Sequence, residues 1–181
     1  TYVPSTDLLC LYDNGYYYNW SVRAHDGTAW GPSSSVWHFN LTAEVSINLA
    51  SAEVAFGSLS PGDVENTSDD DPTPLVIDND GNVVTNISLN SSALWEEAPT
   101  NSSYYQFKAD NTTTELGAFN WLISIVDWFN VPITGEVVAI GELNYVDGDD
   151  SAEVDIRLEV PPSEDPGIKN ATILFVGELA E

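Results

Sequence analysis

The sequence predicts an all-β protein: a β-sandwich or jelly roll preceded by a partial β segment. Apolar and polar residues alternate at period two in run after run. Clusters of Gly, Pro, Asn and Asp cut these runs to strand length. No window sustains the i, i+3, i+4 apolar stripe of a capped helix. At 181 residues the chain holds one domain and a piece of another, divided here as 1–41 and 42–181. It is 43% hydrophobic and 11% aromatic, enough to build a core despite a formal net charge of −25.

Taken in order, residues 16–24 alternate, with Tyr16, Tyr18, Trp20, Val22 and Ala24 on one face. An Asp26-Gly27 turn follows, then a run in which Trp37, Phe39 and Leu41 oppose Val36, His38 and Asn40, so the pair reads as a hairpin. A second set of strands starts near residue 43 with Val45, Ile47 and Leu49, then Val54 and Phe56. Residues 57–73 read as loop. Leu75 to Ile77, the Asp80-Gly81 turn and Val83 to Leu89 read as a second hairpin. In its return strand Val83, Thr85, Ile87 and Leu89 face inward, and Val84, Asn86, Ser88 and Asn90 outward.

Residues 91–118 are irregular apart from a short strand near Tyr104, Tyr105 and Phe107. Residues 119–128 are apolar on both faces, which fits a strand buried on both sides; periodicity alone leaves a short helix open. Residues 136–146 form a further strand, ended by Asp147-Gly148-Asp149-Asp150. The cleanest alternation comes next: Ala152, Val154, Ile156, Leu158 and Val160 against Ser151, Glu153, Asp155, Arg157 and Glu159, stopped by Pro161-Pro162. The last strand runs from Ala171 to Gly177.

Charge narrows the partners. Four basic residues, Arg23, Lys108, Arg157 and Lys169, cannot neutralise a phosphate backbone, so nucleic acid is excluded as a partner. Anionic membrane surfaces would repel the chain. No apolar run approaches the ~18 residues of a membrane-spanning helix, so direct membrane insertion is not expected. There is no signal-peptide pattern and no methionine, which reads as a processed or excised product. The single Cys10 excludes an internal disulfide, and no Cys/His set suits zinc.

Asparagine sequons are the strongest local signal. N-x-S/T occurs at Asn19, Asn40, Asn66, Asn86, Asn90, Asn101, Asn111 and Asn170. Those are 8 of the 15 asparagines, against about 2.6 expected by chance at this Ser and Thr content. Asn19, Asn40, Asn86 and Asn90 also fall on the outward faces of their predicted strands, the geometry an N-linked glycan needs. The expected location is therefore extracellular, at a cell surface.

Catalytic signals are absent. No G-x-S-x-G, H-E-x-x-H, P-loop or G-x-G-x-x-G motif occurs, and the chain is not expected to be an enzyme. The best carboxylate pair, Glu96-Glu97 beside Trp95, reads first as solvated loop acids, and His25-Asp26 as part of a turn. Calcium is the one candidate cofactor, because hard cations take several oxygen ligands from flexible loops. Its candidate ligands are Asp69, Asp70 and Asp71; Asp78 and Asp80 around Asn79; and Asp147, Asp149 and Asp150. None of these follows the EF-hand pattern. The aromatic residues read mainly as core, with a sugar-binding platform as the alternative.

Two resemblances complete the reading. Tyr16-Tyr17-Tyr18-Asn19-Trp20-Ser21-Val22-Arg23-Ala24-His25-Asp26-Gly27, with Trp30-Gly31-Pro32 and Ser35-Val36-Trp37-His38-Phe39, resembles the last two strands of prokaryotic fibronectin type III modules. It covers about half such a domain and lacks the early strands and their core tryptophan. Residues 42–181 are more loosely similar to β-sandwich (jelly-roll) subunits of archaeal extracellular filaments and surface glycoproteins. Val54 to Gly62, Asn79 to Val83, Val160-Pro161-Pro162 and Pro166 to Ile173 carry that similarity. It implies a structural, glycosylated, pilus-like subunit whose partners are copies of itself, joined head to tail by donor-strand complementation. The alternative is a carbohydrate-binding or adhesin module of a larger surface protein. Neither resemblance supplies a catalytic residue.

Overall fold

A computed structural model describes residues 18–40 and 42–180. Among them there is no helix. The chain divides into two compact units, Thr1–Glu44 and Val45–Glu181.

In the first unit, strands β1 (Tyr18–Trp20) and β4 (Trp37–Phe39) form one antiparallel ladder, and β2 (Arg23–His25) and β3 (Trp30–Ser33) another. The register Tyr18↔Phe39 and Trp20↔Trp37 places on one face the aromatics that alternation put there. Across the ladder Tyr18 stacks on Phe39 at 5.5 Å, and Trp20 packs tilted on Trp37 at 4.8 Å. The turn forms where Asp26-Gly27 predicts it. Gly27 takes φ of 98°, and Asp26 Oδ1 accepts the N–H groups of Thr28 and Ala29 at 2.8 Å each. Those two backbone hydrogen bonds hold the Asp26 carboxyl below the usual carboxylate range.

The second unit is a sandwich. Its larger sheet runs in the order β10 (Phe129–Asn130), β9 (Tyr105–Asn111), β12 (Ser151–Glu159), β7 (Leu75–Asp78), β5 (Asn48–Ser51), with β6 (Val64–Asn66) also on β12. The smaller sheet has three strands in the order β11 (Val137–Leu143), β8 (Thr85–Ser91), β13 (Ile173–Leu179). All pairings are antiparallel. Between the sheets lies one apolar core built on Ile77, Ile87, Leu89, Phe107, Ile140 and Val154, each fully enclosed. Full burial of such side chains contributes about 1.5–3 kcal/mol apiece.

β12 organises the larger sheet. One edge pairs with β9 along seven residues; the other is shared end to end by β7 at 151–154 and β6 at 157–159. Thr67 closes the gap between them: its N–H bonds Ile156 O, and its hydroxyl bonds both Asp155 and the Ile156 N–H.

Three expectations are corrected. The Asp80-Gly81 turn does not make a hairpin, because β7 and β8 belong to different sheets. Asn79 builds this sheet-to-sheet corner, its buried amide donating to Val83 O and Leu143 O while Gly81 N–H bonds its Oδ1. Both strands are apolar on the inner face, and opposite sheets bury both. Second, residues 119–128 are not a strand. They form hydrogen-bonded turns laid on β11, and only Phe129–Asn130 enters a ladder. Third, β6 arises inside the stretch read as loop.

Candidate functional site

The two sheets are unequal, and the inequality creates the main surface feature. Beyond β13 the smaller sheet has no fourth strand, and residues 52–59 rather than a strand cover the apolar inner face of the larger sheet there. A groove of about 970 Å³ opens there, with Leu75, Tyr105, Ile156, Leu158, Ile173 and Phe175 among its lining. Burial pushes the Tyr105 phenol up despite its contact with Ser91.

β13 enters this groove with Ile173 and Phe175, at the start of its free edge. Its bonded alternation is set at both ends: Ser92 N–H donates to Thr172 O, and Ala180 N–H to Val84 O. In the register Ile173↔Ser91 through Leu179↔Thr85, the even-numbered residues of β13 therefore bond β8. Ile173, Phe175, Gly177 and Leu179 point their N–H and C=O groups the other way. Among the described residues none of these four has a backbone partner on that side.

Residues 52–59 lie along the groove. Val54, Phe56 and Leu59 rest on the core, yet outside the ladders no backbone hydrogen bond joins residues 52–59 to any described residue. The opposite rim is fixed by an ionic clasp. Glu164, whose side chain is 2% exposed, bonds Lys169 Nζ and accepts the N–H groups of Glu96 and Glu97 at 3.2 Å and 3.0 Å. Burial alone would raise this carboxyl, but the bonds from Lys169 and the two amides outweigh it and lower it. Lys169 also reaches Glu96 Oε1 at 3.2 Å. The Glu96-Glu97 pair is thus part of a structural clasp. Trp95 is buried beside it, its indole N–H on Tyr104 O.

The sequons are spread over both units. Asn19, Asn40, Asn101 and Asn170 are exposed, while Asn66, Asn86, Asn90 and Asn111 are half-buried. Asn86 and Asn90 share the outer face of β8, across from Glu178 and Leu174 of β13. Asn86 Oδ1 accepts the N–H of Glu142, a bulge residue with φ of 55°. Asn66 and Asn101 also accept backbone N–H groups, from Ser68 and Ile133. Asn111 differs: it pairs with buried Ala152 on the inner-face parity, and its Oδ1 is enclosed without a partner among the described residues.

The aspartates divide among separate tasks. Asp69 Oδ1 accepts the Asp71 N–H, and Asp70 N–H bonds Thr67 O. Asp78 bonds the Ser151 hydroxyl and the Asn48 amide, tying β7 to both neighbours. Asp80 is exposed, as are Asp147 and Asp149. Burial, then the Glu115 charge, raises the Asp150 carboxyl. Asp70 acts on Glu153 whereas Asp78 acts on Asp150, so the first two clusters serve different surroundings. Among the described residues no three His, Cys, Asp or Glu side chains converge in a metal-holding group.

Two features escaped the sequence reading. Asp155, on the outward parity of β12, is 2% exposed. Lys108 on β9 covers it, 3.1 Å from Asp155 and 2.6 Å from Asp110, with its ammonium 5.5 Å from the Trp128 ring. Desolvation works against the Lys108 charge, but its bonds to the two carboxylates prevail and raise it. Glu153 nearby is pushed up to about 7, first by burial and then by the charges of Asp70, Asp155 and Asp110. The second feature is a rigid turn that exposes Trp121, Leu122 at 94% and Ile123. Asn120 and Ser124 hold it through bonds to Leu122, Glu142 and Gly141.

In the first unit the aromatics are not core. Trp20, Trp30, Trp37 and Phe39 are all exposed, because a two-stranded ladder has no second sheet of its own to cover its face. The His25 ring packs tilted against Trp30 at 4.5 Å and its Nδ1 accepts the Gly27 N–H, a turn role.

Comparison with family models, curated proteins and solved structures finds no match for this chain. Fold and site together define an all-β sandwich with an incomplete second sheet.

Proposed function

We propose that this protein is a structural subunit of an extracellular, glycosylated surface filament, assembled head to tail by strand addition. One observation carries the reading: β13 leaves the N–H and C=O groups of Ile173, Phe175, Gly177 and Leu179 without backbone partners among the described residues, and the first two of them line an apolar groove. An unpaired edge beside an apolar groove is a template for another chain. A head-to-tail contact that does not close propagates as a fibre. The sequons on the outer face of β8 and on exposed loops support a glycosylated surface location. Native material imaged by negative stain should show uniform polymers that grow with concentration. Monodisperse single subunits at all concentrations would overturn the reading. Glycopeptide mass analysis should find sugars on Asn86 and Asn90, and bare asparagine at every sequon would remove the surface assignment.

The exposed Trp20–Trp37 and Tyr18–Phe39 pairs favour a second reading, a carbohydrate-binding or adhesin module. Flat aromatic faces stack on sugar rings. Binding to a glycan array, lost in Trp20→Ala and Trp37→Ala, is its test.

A further inference from the structure

The negative charge of this chain outruns the cations on it. Acidic residues number 29 and basic residues 4, and the basic ones are already engaged. Lys108 serves Asp110 and Asp155, Lys169 serves Glu96 and Glu164, and Arg157 reaches Glu159. Arg23 lies over the Trp30 ring and donates to Gly31 O. A net charge this far from zero works against a compact state through self-repulsion.

The fold concentrates that repulsion at the start of β12. Glu153 stands directly across from Asp110, and like charges so placed are destabilising. Asp155 follows two residues on along the same parity, and one ammonium, that of Lys108, serves the group. Burial and then the charges of Asp70, Asp155 and Asp110 push Glu153 up to about 7. At the turn before β12, Glu115 is held by backbone N–H groups, those of Asp150 and Ser151 at 2.8 Å and 2.7 Å. Burial, then the charges of Glu115, Asp147 and Asp78, raise the Asp150 carboxyl. Among the described residues no three His, Cys, Asp or Glu side chains converge in a metal-holding group, so the stress is spread along the strand rather than focused on one ion. Spread charge is relieved by screening. The screening length falls from about 30 Å at 0.01 M salt to about 3 Å at 1 M, shorter than the ~5 Å between cross-strand side chains.

The free edge of β13 carries the same sign. Glu178 on that strand is exposed, and so are Glu53 and Asp165 in the lining of the groove. A second copy approaching this edge brings a net charge of −25 of its own. At low ionic strength the two copies repel over their whole facing surfaces, and at molar salt only where charges nearly touch.

We propose that this chain requires concentrated monovalent salt: hydrated cations held diffusely along its carboxylates stabilise the fold around β12 and let the β13 edge receive another copy. The first half stands on the single subunit. The second half rests on the assembly reading and adds its regulation, with growth in strong salt and release on dilution.

The test follows the thermal midpoint of the full chain by circular dichroism from 0.01 M to 1 M NaCl, where the screening length falls about tenfold. The midpoint should rise by about 10 °C or more, and KCl at equal ionic strength should match NaCl. A smaller rise would overturn the salt requirement. A rise produced by micromolar calcium, and not by NaCl, would replace diffuse screening with a bound-ion site and overturn it too. The combined variant Asp147→Asn, Asp150→Asn and Glu153→Gln should be more stable than wild type at 0.01 M. It should lose about a quarter or more of the salt-induced rise, out of proportion to 3 charges among 25. An undiminished rise in that variant would refute the start of β12 as the stressed region. Polymers grown at 1 M should shed folded subunits on dilution to a salt at which circular dichroism still shows the native spectrum. Polymers that persist there would refute the regulation of assembly. Chains that never polymerise at any salt, with the midpoint still rising, would sink the filament and keep the salt requirement of the fold.

Discussion

β12 and β13 both read as strands in the sequence, and the fold treats them differently. β12 alternates apolar with polar residues and β13 opens on the apolar run Ile173 to Val176, and each turns apolar side chains to the core. β12 is paired on both edges along nearly its whole length, whereas β13 is paired on one. The outer face of β12 is also covered at its middle, where Asp155 lies buried beneath Lys108 and Thr67. Alternation sets which face is wet. It does not set how many neighbours a strand acquires, or whether its polar face is covered. One strand therefore anchors the sandwich while the other leaves it open.

Substitution should make this contrast measurable. The largest effect is expected at Lys108. Lys108→Met removes the cation beside buried Asp155 and leaves an uncompensated charge, at a cost of about 3–5 kcal/mol. Urea unfolding of the variant should show that loss, and a loss under 1 kcal/mol would mean that Asp155 is satisfied without its partner.

Glycine substitutions probe how firmly each sheet is held. A Cβ on Gly141 of β11 would sit 2.5 Å and 2.7 Å from side-chain carbons of Ile123, in a turn fixed by hydrogen bonds. Gly141→Ala should cost about 1–3 kcal/mol by overpacking. A Cβ on Gly177 of β13 would meet Ile47, Val45 and Thr85 at 3.1–3.3 Å. Val45 and Ile47 lie outside every ladder and can yield, and Thr85, fixed in β8, is approached only to 3.3 Å, so Gly177→Ala should cost less than ~1 kcal/mol. Equal costs would mean that the open side is as rigid as the closed one.

A further small stability effect is expected at Glu153 and depends on pH. Its folded value, pushed up to about 7 from 4.5, exceeds the unfolded one, so the native state holds the proton more tightly. Stability then falls as pH rises from about 4.5 towards 7, and stays reduced above that. Solvent screening limits the penalty to about 1 kcal/mol. Glu153→Gln should raise the unfolding midpoint at pH 8 and leave it nearly unchanged at pH 4. A midpoint lowered at pH 8 would show that the carboxylate is stabilising there.

Much of the sandwich was legible because burial on one face imposes period two. Ala152 to Val160 and Thr85 to Leu89 turn inward as their alternation requires. Asp26-Gly27 was legible because only a few residues take that turn. Residues 119–128 misled, since an apolar run does not declare whether it is buried: Leu122 is almost fully exposed. Asp80-Gly81 announced a chain reversal but could not name the sheet that the next strand would join.

The sequence by itself determined the all-β class, the turns and the faces of the longest strands, because these depend on residues a few positions apart. Only the tertiary structure decided that β7 and β8 part company, that Asp155 is buried, and that the smaller sheet stops at β13. Each of those depends on contacts between segments tens of residues apart, where no local period carries information. The candidate site is of that kind: a groove exists because a neighbouring strand is missing, and Ile173 to Leu179 read the same with or without one.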